Sequence, residues 1–262
     1  MSENILEIKN LQVTYKSSNL FNSKVVEAVK DVSLEVKKGE VFAIAGESGC
    51  GKSTLAKAIM NLIPIANGHI LFKNEDISLY SKAQFKEYRK NVQMIFQNPY
   101  SSLNPKMNIK QILSEPLVIN TKLKKCEIEE EVINILAKVG LSSDVLSLYP
   151  HEFSGGQRQR IAIARALILK PKLVVADEPV SALDASIQAQ ILNLLIELKN
   201  EFNLTLLFIS HDLGVIKFIA DKVAIMYFGE IVEVGSKDDI FLNHKHQYTE
   251  KLLNSVPSYK NI

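Results

Sequence analysis

Between an apolar run, Val41 to Ala45, and an amphipathic run whose apolar positions are Leu55, Ile59, Leu62 and Ile63, the chain reads Gly46-Glu47-Ser48-Gly49-Cys50-Gly51-Lys52-Ser53-Thr54. A strand, a glycine-rich turn and a helix in that order leave few ways to fold. The turn presents successive backbone N–H groups to one point, and the helix that follows adds the positive end of its dipole, so the segment is built to hold phosphate. Lys52 supplies a mobile cation for β- and γ-phosphates, and the Ser53 hydroxyl is placed to bind the Mg²⁺ that accompanies a nucleoside triphosphate. The motif therefore predicts a chain that handles ATP or GTP.

Composition narrows the setting. At 262 residues, 47% hydrophobic and formal net charge +2, the chain has length for a substantial core, as one domain or two closely joined lobes. A charge this near neutral argues against a nucleic-acid partner, and Lys122, Lys124 and Lys125 read as a solvated face. No apolar stretch approaches the roughly 18 residues that span a bilayer. The amino terminus lacks a basic segment followed by an apolar one, so the expectation is a chain that works in the cytoplasm. Two cysteines, Cys50 and Cys126, make no disulfide framework and fit a reducing compartment.

Apolar strands alternate with amphipathic helices, which predicts an α/β core with a largely parallel sheet. Leu173 to Ala176 and Leu204 to Ile209 read as short buried strands. Between them Ile187, Ile191, Leu194, Leu195 and Leu198 mark a helix lying on the sheet, with Asp184 as its N-cap. Val25 to Val36 and His69 to Ile77 carry alternation and turn signals that predict an antiparallel edge layer. From about Asn98 to Pro150 strand signals vanish; the stretch reads as a helical insertion, with Glu127 to Val139 its clearest helix.

Open α/β sheets place their ligands at the carboxyl ends of the strands. There the chain puts Asp177 and Glu178, two carboxylates whose alternation along an extended strand would send one toward Mg²⁺ and the other toward an attacking water. A carboxylate beside that water is suited to general-base work. A second glycine turn, Ser154-Gly155-Gly156-Gln157, opens a helical run from Arg158 to Leu169, with Ile161, Ala164 and Ile168 on one face before Pro171.

Phe153 to Arg160 resembles the signature segment of the nucleotide-binding subunits of ATP-binding cassette (ABC) transporters, and the other elements of that family follow in order. Gln97 matches the Q-loop glutamine, Ser181-Ala182-Leu183-Asp184 the D-loop, His211 the switch histidine, and Tyr15 the aromatic residue that stacks on adenine. Tyr15 also continues the Leu11, Val13 alternation of an edge strand, which is its competing reading. The resemblance, from about Leu6 to Pro257, implies a P-loop NTPase fold: a RecA-like core with an antiparallel β edge layer and a helical insertion subdomain. It implies one nucleotide-binding domain over residues 1–262, with the core at about 1–97 and 166–262 and the helical subdomain at about 98–165. It implies ATP and Mg²⁺ as ligands, with Mg²⁺ held by Ser53, Gln97 and Asp177. Glu178, His211 and Gln97 would be catalytic. Residues Gly46 to Thr54, Tyr15, Ser154, Gly155, Gly156, Gln157 and Asp184 would contact nucleotide. Such domains work as head-to-tail dimers, so the signature of one would touch the γ-phosphate held by its partner.

Gln97 to Pro105, the Asp177 to Gln190 run and the ending His246-Gln247-Tyr248-Thr249 with Leu252, Leu253 and Val256-Pro257 are similar to importer ATPases for oligopeptides, dipeptides and nickel, of the second, F- or E-type. That likeness implies two membrane-spanning permease subunits, a second ATPase, identical or different, an extracytoplasmic binding protein, and residence at the cytoplasmic face of the membrane. Gln247 stands where that family commonly has proline, and the short tail favours dipeptide, nickel or metal-chelate cargo over oligopeptides. A soluble ABC ATPase of DNA repair or translation would carry two cassettes or a long coiled-coil insertion, and the sequence has neither. A GTPase or small-molecule kinase would leave Ser154 to Gln157 and His211 without a role.

Overall fold

Alternating apolar residues lay down an antiparallel layer at the amino terminus of the computed structural model, which describes residues 3–19 and 22–255. The chain divides into two compact units, Met1–Ser81 with Thr205–Ile262, and Lys82–Leu204. In the first unit, β1 (Asn4–Asn19) runs between β2 (Asn22–Lys37) and the later β4 (Asn67–Phe72). The pairs Leu6↔Val36, Ile8↔Leu34, Leu11↔Val32 and Val13↔Val29 are buried on one face, the cross-strand contacts from which a sheet gains its stability. The apolar parity changes from even to odd positions between Ile8 and Leu11. A bulge explains it: the register shifts there, Asn10 has φ 49° and Asp31 φ 49°, and the Asn10 amide donates to Asp31 Oδ1 over 2.9 Å.

Next comes β3 (Val41–Ala45), buried at every position, as a strand covered on both faces must be. It is followed by α1 (Lys52–Ile59). Sequence periodicity extends this helix through Leu62 and Ile63, and the structure corrects that reading. The N–H groups of Asn61 and Leu62 turn back to Ala58 O and Lys57 O around a left-handed Asn61 (φ 49°), which closes the helix and leaves Leu62 exposed. β4 (Asn67–Phe72) and β5 (Glu75–Asp76) complete the edge layer in the order β2-β1-β4-β5.

The second unit opens with α2 (Lys82–Asn91), β6 (Val92–Ile95) and α3 (Pro99–Ser102). α4 (Ile109–Asn120) starts at a capping box, in which Asn108 and Gln111 each bond the other's backbone N–H. α5 (Lys125–Lys138) is the helix foreseen at Glu127 to Val139. α6 (Gly155–Leu167) buries Ile161 and Ala164, and Ile168 is buried just past its end. β7 (Leu173–Asp177) pairs in parallel with β6. α7 (Ala185–Phe202) is capped by Asp184, whose carboxylate accepts Ile187 N–H at 3.0 Å.

The chain then returns to the first unit. β8 (Thr205–Ser210) pairs in parallel with β3, as does β9 (Lys222–Tyr227), while α8 (Leu213–Ile219) joins the two. β10 (Glu230–Ser236) pairs antiparallel with β9 and leads into α9 (Lys237–Leu242) and α10 (Gln247–Asn254). One apolar cluster joins Ala43 and Ala45 of β3, Val223 and Ile225 of β9, Ile240 and Phe241 of α9, and Leu252 and Leu253 of α10. Val256 and Pro257 lie outside the described residues.

Candidate active site

The loop Gly46 to Thr54 of the first unit is shaped by what it rests on. A Cβ on Gly51, whose φ is +115°, would come within 2.3 Å of Ala28 O, so only glycine lets the loop lie this close to β2. The Cys50 carbonyl accepts the Gly229 N–H at 2.8 Å, fixing the loop to the turn between β9 and β10. Glu47, Ser48 and Gly49 form the exposed crest, whereas Cys50 and Lys52 are buried. The Lys52 ammonium donates to Gly46 O at 2.7 Å and Glu47 O at 2.8 Å. Burial pushes the Cys50 thiol up, against the pull of the Lys52 ammonium beside it.

Ser53 and Thr54 follow Lys52 in the first turn of α1, an eight-residue helix with no side-chain cap and no acidic residue in that turn. Its leading end is thus electropositive, which favours an anion there. Tyr15 departs from the alternation of its strand: Leu11 and Val13 are buried, but Tyr15 is 42% exposed. Its hydroxyl lies 3.5 Å from Thr54 Oγ1, which brings it to the start of α1. His211 is exposed directly after β8, and the next residue, Asp212, caps α8 through Gly214 N–H and Val215 N–H.

In the second unit the two carboxylates lie at the end of β7. Asp177 is its last residue, and Asp177 and Glu178 are both more than nine-tenths buried. Strand alternation does not separate them, as the sequence suggested. Glu178 instead leaves the strand with φ 47°, a left-handed backbone uncommon for a side chain of this size. Ser181 holds that turn, its N–H and hydroxyl both donating to Glu178 O, at 3.3 and 3.1 Å. The Gln97 amide donates to Glu178 Oε2 at 2.9 Å.

Ser154 and Gln157 form a reciprocal cap at the start of α6: Ser154 N–H donates to Gln157 Oε1 at 3.0 Å, and Gln157 N–H to Ser154 Oγ at 3.4 Å. Because Oγ accepts, its proton stays available for an anion. A Cβ on Gly156 would sit 2.6 Å from Ile187 Cγ2, and one on Gly155 3.4 Å from Leu183 Cδ2. The signature turn is therefore seated on the start of α7. Gln188 fixes that region, its amide donating to Val180 O at 3.0 Å and Leu183 O at 3.1 Å.

Several residues that this geometry recruits were given no role by the sequence. Arg158 stacks over the Tyr100 ring at 4.3 Å, and Arg165 donates to Ser102 O at 2.6 Å, so α6 grips the segment after Gln97 twice. The Gln159 amide nitrogen is buried without a hydrogen-bond partner among the described residues. Tyr248 accepts the Glu47 N–H at 3.4 Å. A tyrosine between polar residues near the carboxyl end is the only hint of that contact.

Residues 29–181 match the family model described as ABC transporter. The chain is 50% identical over 261 residues to the oligopeptide transport ATP-binding protein OppF of Haemophilus influenzae, covering 97% of this chain and 79% of that one. It is 51% identical to the oligopeptide transport ATP-binding protein AppF of Bacillus subtilis, with the same coverage. It is 48% identical to the dipeptide transport ATP-binding protein DppF of Lactococcus lactis, covering 97% and 81%. Among solved structures, cbiO1 of Clostridium perfringens, part of an ABC transporter complex, superposes with a TM-score of 0.78 at 29% identity, covering 97% and 94%. An ATP-binding cassette solved as a dimer in a post-hydrolysis state with ADP and phosphate superposes with a TM-score of 0.78 at 28% identity, covering 88% and 98%.

Proposed function

The chain belongs to the ABC transporter family, and from that premise we propose how its residues divide the work of an importer ATPase. It is the ATP-hydrolysing subunit of an ABC importer for peptides. Lys52 and the N–H groups of Gly46 to Thr54 take the β- and γ-phosphates, and Tyr15 stacks on adenine. Glu178 accepts the proton of the attacking water, and His211 keeps that water and the γ-phosphate in line. Ser154, Gly155, Gly156 and Gln157 read the γ-phosphate held by a second ATPase, and Asp184 belongs to the same dimer contact.

Ser53, Gln97 and Asp177 offer a hydroxyl, an amide carbonyl and a carboxylate, an all-oxygen set that suits Mg²⁺. The Gln97 nitrogen is engaged by Glu178, which leaves its oxygen as the atom for a cation. Bound there, Mg²⁺ would neutralise phosphate charge.

Among the described residues no helix is long and apolar enough to cross a membrane. We place the chain at the cytoplasmic face of the membrane, docked on two permease subunits beside a second ATPase, in a system fed by an extracytoplasmic binding protein. Peptides are the cargo. The observation that carries the reading is the buried Lys52 ammonium enclosed by its own loop at the uncapped start of α1. Turnover of ATP compared with GTP by the purified chain tests it: ATP hydrolysis that requires Mg²⁺ is expected, and a preference for GTP would overturn it.

A further inference from the structure

The carboxyl-terminal run His246-Gln247-Tyr248-Thr249 has no part in the chemistry above, yet the structure ties it firmly to the phosphate loop. Glu233 on β10 gathers the start of α10: its carboxylate accepts Lys245 N–H at 2.6 Å, His246 N–H at 3.2 Å and the Thr249 hydroxyl at 2.5 Å. Thr249 is fully buried, and Leu252 and Leu253 pack into the cluster that contains Ala45, the residue before Gly46. α10 is thus fixed at both its polar and its apolar side.

From this anchored helix the Tyr248 ring lies on Tyr227, centroids 3.9 Å apart, and its hydroxyl accepts the Glu47 N–H at 3.4 Å. The carbonyl of that same Glu47 accepts the Lys52 ammonium at 2.8 Å. One residue of the loop is therefore held at its N–H by Tyr248 and at its C=O by Lys52. Burial pushes the Tyr248 phenol up to about 12, so it remains a neutral hydroxyl at any working pH.

We propose that Tyr248 is a positioning residue for the phosphate loop, so that α10 sets how tightly the loop holds a nucleoside triphosphate. When the Lys52 ammonium turns from the Glu47 carbonyl to a phosphate, that carbonyl is left with the Cys50 N–H, which it accepts at 3.3 Å. The Tyr248 hydroxyl is the hold on the Glu47 N–H. It keeps the crest in its receptive shape, and a loop ordered before binding spends less of the contact energy on its own ordering. The inference rests on the reading that Gly46 to Thr54 binds ATP.

The test is a titration of the purified full chain with a fluorescent N-methylanthraniloyl derivative of ATP, in the wild type and in Tyr248→Phe. The substitution removes only the hydroxyl and keeps the ring on Tyr227. Loss of a hydrogen bond of ordinary net worth predicts about 2- to 10-fold weaker binding, with turnover at saturating ATP unchanged. Glu233→Gln, which loosens the start of α10 without touching the loop, is expected to weaken binding in the same direction. Unchanged affinity in Tyr248→Phe would overturn the inference while leaving the ATP reading intact, as would a fall in kcat at unchanged affinity. A wild-type chain that does not bind the analogue would overturn the ATP reading itself, and this inference with it.

Discussion

The Gln97 amide and the Glu178 carboxylate, 81 residues apart in sequence, meet in a hydrogen bond of 2.9 Å. Glu178 is buried and sits on left-handed backbone, a conformation that costs about 1–3 kcal/mol and persists only where the surroundings enforce it. Ser181 enforces it from the backbone side and Gln97 from the carboxylate side. Gln97 begins the segment that α6 grips through Arg158 and Arg165. A shift of residues 98–105 would thus be felt at Glu178.

Glu178→Gln keeps the size and burial of the side chain and removes its capacity to accept a proton. ATP hydrolysis is expected to fall by at least about 10²-fold, the lower end of what a general base contributes, with nucleotide affinity retained. Near-normal turnover in a steady-state phosphate-release assay would remove Glu178 from that role.

Lys52→Ala deletes the cation enclosed by the loop and removes the ammonium donor from the Gly46 and Glu47 carbonyls. Affinity for ATP is expected to drop well beyond the effect of Tyr248→Phe. An equilibrium titration that returns the wild-type dissociation constant would contradict the assignment.

Gly156→Ala sets two effects against each other. Alanine is the better helix former by about 1 kcal/mol at an interior position, and by less here in the first turn, whereas its methyl would lie 2.6 Å from Ile187 Cγ2. Overpacking typically costs about 1–3 kcal/mol, so net destabilisation is expected in urea unfolding. Adding Ile187→Ala, which removes the opposing methyl, should bring the two substitutions below the sum of their separate costs.

Glu233 predicts a pH dependence. Burial alone would raise its pKa, but the Thr249 hydroxyl and the N–H groups of Lys245 and His246 outweigh that, with the nearby His244 adding to them, and hold it below its ordinary 4.5. A carboxylate depressed in the folded state adds stability above its unfolded pKa, and that stability is lost as pH falls through the folded value. The stability difference between wild type and Glu233→Gln should therefore be constant near neutrality and shrink below about pH 4.5. A difference that does not change between neutral and acid pH would show that the carboxylate is not the anchor of α10.

Much of this was legible in the residues alone, and the exceptions share a physical cause. The phosphate loop could be read because its function needs small residues at fixed spacing, and β3 because a strand covered on both faces must be apolar throughout. Asp184 as a cap and α5 as a helix follow equally local rules. The end of α1 was misread because apolar Leu62 and Ile63 keep the helical spacing, while the left-handed turn at Asn61 that exposes Leu62 leaves only a faint mark in the sequence. The Glu178 turn was hidden for the same reason, since strand alternation offers an adequate account of two adjacent carboxylates. The Tyr248 contact with Glu47 joins residues 201 apart, and no periodicity reports a pairing of that range.

The most direct test of the account is capture of the tagged chain from native membranes in mild detergent, with the co-purifying proteins identified by mass spectrometry. Two membrane-spanning subunits and a second ATPase are predicted, in a complex whose peptide-stimulated ATP turnover is abolished by Glu178→Gln. Recovery of the chain from the soluble fraction alone, hydrolysing ATP without membrane partners, would contradict the importer assignment.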